Sequence, residues 1–270
     1  MKAISSTFTR QPPAEVPYRC DGDGGPALLF FNGASLPLQF WDPLIEHLTA
    51  DHTCIRFDQR NAPASTYSGS FTLPDVAADA AALLQHLHVE RCIIVGHAWG
   101  GRVAQVFARD YPHLCDAIVI CGTGGQLPAH TNPETLKRMA QAMRDDDRDT
   151  WAAALAATFC GADFPAAEPA AFNALTDLLW RQRANRNARW DAAVCPSSSY
   201  WGQAHMPACL IYGDQDRNGT PDNARDLHAQ LPTAELHFIE GAGHFVVREA
   251  VAQVAALVRG FVATHQAPQG

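Results

Sequence analysis

The chain has 270 residues, 47% of them hydrophobic, which suffices for one large α/β domain or for a domain with a sizeable insertion. Its formal net charge is −8 and it has no basic cluster, so we expect no nucleic-acid partner and no attraction to an anionic membrane surface. No window reaches transmembrane length and the eight cysteines form no C-x-x-C pair, so the sequence predicts free thiols, a cytoplasmic location and no metal site.

Strands and helices alternate along the first 126 residues. Short apolar runs predict buried strands, and apolar residues at helical spacing predict helices. The predicted strands here are 27–31, 53–57, 92–97 and 116–121, and the predicted helices are 40–48, 73–87 and 102–109. This alternation predicts an α/β fold with a mostly parallel central sheet and helices on both faces.

The alternation stops between residues 127 and 205 and then resumes. Within this stretch the helical patterns are 133–143, 150–159 and 170–188, with no strand between them. After it, the predicted strands are 209–212 and 235–238, and the predicted helices are 222–230 and 247–264. We therefore predict an α/β core formed by residues 1–126 and 206–270, interrupted by an inserted α-helical cap over residues 127–205.

The most informative segment is Gly96-His97-Ala98-Trp99-Gly100-Gly101, which joins a predicted strand to a predicted helix. This pattern is typical of the nucleophile elbow, G-x-S-x-G, whose central side chain stands exposed above a sheet. The flanking glycines suit a strained turn in which strand and helix pass too closely for a Cβ atom. Ala98 holds the central position, and its methyl group cannot attack a carbonyl.

Two later segments add an acid and a base. Asp214 and Asp216 follow one predicted strand, and His244 lies in the glycine-flanked segment 241–245 after the last strand. In this order the chain resembles the α/β-hydrolase superfamily members with a small helical cap, over about residues 15–264. The resemblance implies that the acid stands three residues after Gly213, which selects Asp216, and that His244 is the base. A histidine titrates near neutrality, and a carboxylate behind it fixes its tautomer.

The same resemblance implies an oxyanion hole made of two backbone N–H groups, those of Ala34 and Trp99. Asn32-Gly33-Ala34 stands where many relatives have His-Gly, and the difference is tolerable because the donor belongs to the backbone. The asparagine argues against a relationship to epoxide hydrolases and dehalogenases, which have an H-G-x-P loop at this point. Aromatic side chains are expected to line an apolar substrate pocket. The residues chosen for this pocket are Trp151, Trp180, Tyr200 and Phe245.

Ala98 leaves three interpretations open. In the favoured one it replaces a serine, and the active parent cleaves a small to medium carboxylic ester or lactone through a Ser–His–Asp mechanism. Phe30-Phe31-Asn32 also resembles the enol-lactone hydrolases. In the second interpretation Ala98 replaces the aspartate nucleophile of an epoxide hydrolase or dehalogenase. Those enzymes commonly have Gly-His-Asp-Trp-Gly-Gly, which resembles residues 96–101 of this chain except at position 98.

In the third interpretation alanine is the native residue. Some relatives similar to aminoacrylate hydrolases have Gly-His-Ala at this position, and Asp58-Gln59-Arg60 of this chain also resembles them. His244 and Asp216 would then activate water as a dyad, or the protein would be a non-catalytic or biosynthetic relative that only binds its ligand. In every case the expected partner is a small molecule, and the resemblance implies no metal or organic cofactor. The sequence leaves the oligomeric state open.

Overall fold

A computed structural model describes residues 3–9, 15–123, 147–186 and 205–265, apart from Asn61, Thr66 and Ser68, together with positions 134, 137, 140 and 141. The strands are β1 (Ala3–Thr9), β2 (Glu15–Asp21), β3 (Ala27–Phe31), β4 (Thr53–Phe57), β5 (Cys92–His97), β6 (Cys115–Cys121), β7 (Ala208–Gly213) and β8 (Glu235–Ile239). They form one sheet in the order β1-β2-β4-β3-β5-β6-β7-β8. Strands β3 to β8 pair in parallel, and β1 and β2 are antiparallel.

Helices cover both faces of this sheet. They are α1 (Asp42–Leu48), α2 (Leu73–His86), α3 (Trp99–Asp110), α4 (Arg148–Phe159), α5 (Phe164–Ala167), α6 (Pro169–Arg186), α7 (Pro221–Gln230), α8 (Val246–Glu249) and α9 (Val251–His265). One apolar cluster joins the sheet to α2, α3 and α7, and the other joins it to α1, α4, α6 and α9. The predicted α/β class with a mostly parallel sheet is confirmed. No described helix is both long and apolar enough to cross a bilayer.

The central strands have the sequence that their position requires. All six residues of β5 are buried, because a parallel strand between two helical layers has no solvent-facing side. Helix α2 begins at a capping box in which Thr72 and Asp75 satisfy each other's backbone N–H groups. Because β3, β5, β6, β7 and β8 run parallel, their carboxyl ends meet at one edge of the sheet, where ligands bind in sheets of this kind.

Two features of the fold differ from the sequence prediction. Strands β1 and β2 form an antiparallel hairpin at the sheet edge, which the polar N-terminal sequence did not indicate. The helix predicted over 247–264 is interrupted at Ala250, whose φ of −130° separates α8 from α9. Between β6 and β7 the described residues 147–186 contain three helices and no strand, and the exact bounds of the cap stay a prediction. Most of the predicted helix 133–143 lies outside the described residues.

Candidate active site

The turn between β5 and α3 holds Ala98 in a backbone conformation that residues other than glycine seldom adopt. Its φ is 50° and its ψ is −116°. The N–H of Ala98 donates to the carbonyl of Cys121 at 2.9 Å, and its own carbonyl accepts from the Thr123 hydroxyl at 3.1 Å. The end of β6 therefore fixes the strained turn, although residue 98 carries only a methyl group.

The glycines around Ala98 are there because neighbouring backbone comes very close. A Cβ at Gly96 would lie 2.5 Å from the Gly100 carbonyl oxygen, and one at Gly100 would lie 2.1 Å from the Phe31 carbonyl oxygen. A Cβ at Gly101 would lie 1.8 Å from the hydroxyl of Thr123. Each of these distances is shorter than real Cβ contacts, so the sequence pattern that predicted the elbow has a direct steric cause.

Asp216 and His244 form a buried pair at the ends of β7 and β8. Oδ2 of Asp216 lies 2.9 Å from Nδ1 of His244, and both residues are at least 95% buried. Oδ1 of Asp216 accepts the N–H groups of Asn218 and Gly219 at 2.7 and 2.9 Å. Asp214 is exposed instead and accepts the N–H of Gly241, as expected for a residue that shapes a turn.

The pair lies directly beside the elbow. Nε2 of His97, the residue before Ala98, donates to the carbonyl of His244 at 2.9 Å, and the two imidazole rings are 5.0 Å apart. On the other side, a Cβ at Gly122 would lie 3.5 Å from Nδ1 of His244 and 3.2 Å from Oδ2 of Asp216. The structure thus brings together the three positions that the sequence analysis assigned to a triad.

Burial also makes His97 sensitive to acid. Burial and the nearby His244 lower the pKa of His97 to about 3, whereas its hydrogen bond to the His244 carbonyl raises the pKa slightly. The unfolded chain binds this proton near pH 6.5, so the stability from a neutral His97 is present above that pH and lost as the pH falls toward 3.

When the pH falls from about 7.5 to about 5, we expect the unfolding free energy of this protein to decrease by about 2 kcal/mol more than that of the His97→Gln variant. Glutamine can still donate to the carbonyl but does not titrate, so the difference between the two proteins isolates this group. Urea unfolding at both pH values measures it. Parallel pH profiles for the two proteins would contradict the prediction.

The loop after β3 reaches the elbow from the opposite side. A Cβ at Gly33 would lie 3.5 Å from the Ala98 Cβ, so Ala34 begins next to the elbow. Asn32 holds this loop: its amide donates to the carbonyls of Leu36 and Phe57, and its side-chain oxygen accepts Nε1–H of Trp41 at 2.8 Å. Asn32 therefore stabilises the conformation of this loop through three hydrogen bonds. Trp99 is the first residue of α3, where backbone N–H groups point out of the helix end.

The C-terminal end of α4 packs against the histidine loop, which neither spacing nor composition predicted. The N–H of His244 donates to the Phe159 carbonyl at 2.6 Å. The carboxylate of Glu249 accepts three N–H groups, from Gly161 at 2.7 Å, Gly243 at 2.9 Å and Phe245 at 3.0 Å. Burial raises the pKa of Glu249, and these three hydrogen bonds oppose that rise. Glu249 thereby joins the segment after α4 to both sides of His244.

The four aromatic residues chosen for a pocket are placed differently from one another. Trp151 of α4 is fully buried, and its ring centroid lies 5.4 Å from that of Trp180 in α6. Phe245 is also buried, and its ring lies 5.6 Å from that of His244. Tyr200 lies outside the described residues. That these residues line a substrate pocket stays a prediction.

Among the described residues, one group of side chains that could hold a metal ion lies at the opposite end of the strands. Cys209, Glu235 and His237 place one donor atom each within 4.8 Å of one another, on neighbouring positions of β7 and β8. Burial and the nearby Glu235 raise the pKa of Cys209 to about 12, so its thiol holds its proton. This group has no contact with the Asp216–His244 pair among the described hydrogen bonds.

Comparison with known proteins agrees with this architecture. The chain is 29% identical over 240 residues to the poly(3-hydroxyalkanoate) depolymerase of Ectopseudomonas oleovorans, across 87% of this chain and 83% of that protein. It is 24% identical over 233 residues to RutD of Escherichia coli, a carbamate hydrolase candidate, across 81% and 84% of the two chains.

Among solved structures, the enol-lactonase of Burkholderia xenovorans LB400 is similar, with a TM-score of 0.79 and 21% identity over 96% of this chain and 100% of the other. At that identity the likeness is one of fold. Residues 26–250 match the family described as the alpha/beta hydrolase fold. Since this match spans most of the sequence, the chain belongs to the alpha/beta hydrolase fold family.

Proposed function

We propose that this protein is a hydrolase of small to medium carboxylic esters or lactones, built on the Ser–His–Asp plan with Ala98 at the nucleophile position. The observation that carries the proposal is the buried Asp216–His244 pair beside a strained elbow at Ala98. The relatives support the substrate class, since one is named an enol-lactonase and another acts, by its name, on a polymer of hydroxyalkanoate esters.

In the serine form of this site, the hydroxyl at position 98 would attack the substrate carbonyl while His244 took its proton. Asp216 would hold the His244 ring and stabilise the imidazolium. The backbone N–H groups of Ala34 and Trp99 would bind the tetrahedral oxyanion, and water activated by His244 would release the acyl group. The methyl group of Ala98 closes this covalent route, so we propose that the present chain forms no acyl-enzyme.

A second candidate function keeps the alanine as the native residue and has His244 take a proton from water. The Asp216–His244 pair favours it, because Nδ1 of His244 already meets the carboxylate at 2.9 Å without a serine hydroxyl in the site. The relative RutD, a carbamate hydrolase candidate, is consistent with a carbonyl substrate labile enough for direct attack by water. A single general base contributes about 10²- to 10⁴-fold.

Hydrolysis of p-nitrophenyl acetate and of a panel of small lactones tests both functions. Under the water route, this chain turns over without a burst, and His244→Ala lowers the rate by about 100-fold or more, whereas exposed His113→Ala does not. If this chain and His244→Ala are equally slow, the chain is an inactive form. Ala98→Asp, assayed with an epoxide and a haloalkane, tests the aspartate interpretation. If neither this chain nor Ala98→Ser hydrolyses any ester or lactone, the proposal is wrong.

A further inference from the structure

We infer that Asn218 is a positioning residue for His244 and fills the hydrogen-bonding position at Nε2 that a nucleophile hydroxyl would otherwise occupy. Nδ2 of Asn218 lies 3.0 Å from Nε2 of His244. The inference deepens the proposed function and rests on it, because it takes His244 as the base. It adds a residue that the sequence analysis did not consider.

The backbone holds Asn218 in this place. Its N–H donates to Oδ1 of Asp216 at 2.7 Å, while Oδ2 of the same carboxylate meets Nδ1 of His244. Asp216, His244 and Asn218 therefore form a closed ring of hydrogen bonds. The next residue, Gly219, is pressed against the end of β6, since a Cβ there would lie 2.4 Å from the Gly122 carbonyl oxygen. The segment that carries Asn218 has little room to shift.

The direction of each hydrogen bond follows from the chemistry of the groups. A carboxylate only accepts, so the Asp216 side of the ring places the proton on Nδ1 of His244. In neutral imidazole Nε2 is then a lone-pair acceptor, and the amide NH₂ of Asn218 is the donor. The other groups that face His244 are Glu249 and the neutral His97, which have no contact with Nε2 among the described hydrogen bonds.

Nε2 of neutral His244 has a single lone pair, so the Asn218 amide and a reacting water molecule cannot both donate to it. The amide orients the ring and must withdraw before water meets the base. In a serine form, the hydroxyl at position 98 would donate to the same lone pair, so Asn218 would compete with it. Removing the amide should therefore free the lone pair of the base in both the alanine and the serine protein.

Four proteins test this competition: the present chain, Asn218→Ala, Ala98→Ser and the double variant. We expect Asn218→Ala to raise water-driven turnover in the alanine protein and the acylation rate of Ala98→Ser, each by about three- to tenfold. Asn218→Leu keeps about the same size and cannot donate, so it should behave as Asn218→Ala does. If Asn218→Ala lowers either rate or changes neither, the inference is wrong.

A measurement that needs no substrate separates this inference from the proposed function. In ¹⁵N NMR of the histidine side chains, Asn218→Ala should move the Nε2 resonance of His244 and leave the Nδ1 proton bonded to Asp216. The exposed Asn173→Ala serves as the control that moves neither signal. An unchanged Nε2 resonance overturns the inference whatever the activities are. A changed resonance in proteins that hydrolyse nothing supports the inference and rejects the proposed function.

Discussion

Ala98→Ser is expected to raise kcat for p-nitrophenyl acetate at least about 10³-fold above the present chain, with a burst of p-nitrophenol in the first turnover. Removing a member of a Ser–His–Asp triad costs many orders of magnitude, so restoring the missing member should recover a large part of that loss. The variant requires no rearrangement of the backbone, because Ala98 already has the φ of 50° that the elbow demands. The buried Asp216–His244 pair is likewise already formed.

Stopped-flow absorbance measures the burst, and two controls give it meaning. Ala98→Ser combined with His244→Ala should lose the gain, because the new hydroxyl then has no base. Ala78→Ser adds the same hydroxyl on the exposed face of α2 and should leave the rate unchanged. If Ala98→Ser folds with an unchanged Tm and still shows neither burst nor turnover, the site is not built for acyl transfer.

The parts of this fold that the sequence predicted are those with a local cause. The buried strand 92–97 is a continuous apolar run because both faces of a parallel sheet are covered. Gly96, Gly100 and Gly101 stood out because each lies against backbone or a hydroxyl that leaves no space for a Cβ. Local pattern and tertiary contact impose the same requirement at these positions, so the pattern was informative.

The parts that the sequence did not predict depend on contacts between distant residues. Strand β1 has Ser5, Ser6 and Thr7 in a row, and its pairing with β2 stabilises it in place of an apolar run. Asn218 and Glu249 act on His244 and its loop through side chains whose partners no spacing rule identifies. Even the choice of Asp216 over Asp214 came from a family resemblance, because both carboxylates follow the same strand. Geometry separates them, since Asp216 is buried against His244 and Asp214 is exposed.

Glu249→Ala is expected to lower the unfolding free energy by about 3 kcal/mol or more. The variant leaves the N–H groups of Gly161, Gly243 and Phe245 without their acceptor, and each buried unsatisfied group costs about 1–3 kcal/mol. The backbone cannot move closer to fill the space left by the carboxylate. Gly243 already approaches the Phe159 carbonyl so closely that a Cβ at Gly243 would lie 2.4 Å from the carbonyl oxygen. Glu249→Gln keeps one acceptor oxygen and should lose less.

The matched control is Glu240→Ala, which removes the same charge at an exposed position in the turn after β8 and should change stability little. Urea unfolding measures the free energies, and amide hydrogen exchange shows where they act. Exchange should accelerate first at the N–H groups of Gly161, Gly243 and Phe245. In the Ala98→Ser background, Glu249→Ala should also lower kcat, because the loop that positions His244 loses its attachment to the segment after α4. Equal stability of Glu249→Ala and Glu240→Ala would mean that the carboxylate does not hold the segment after α4 to the histidine loop.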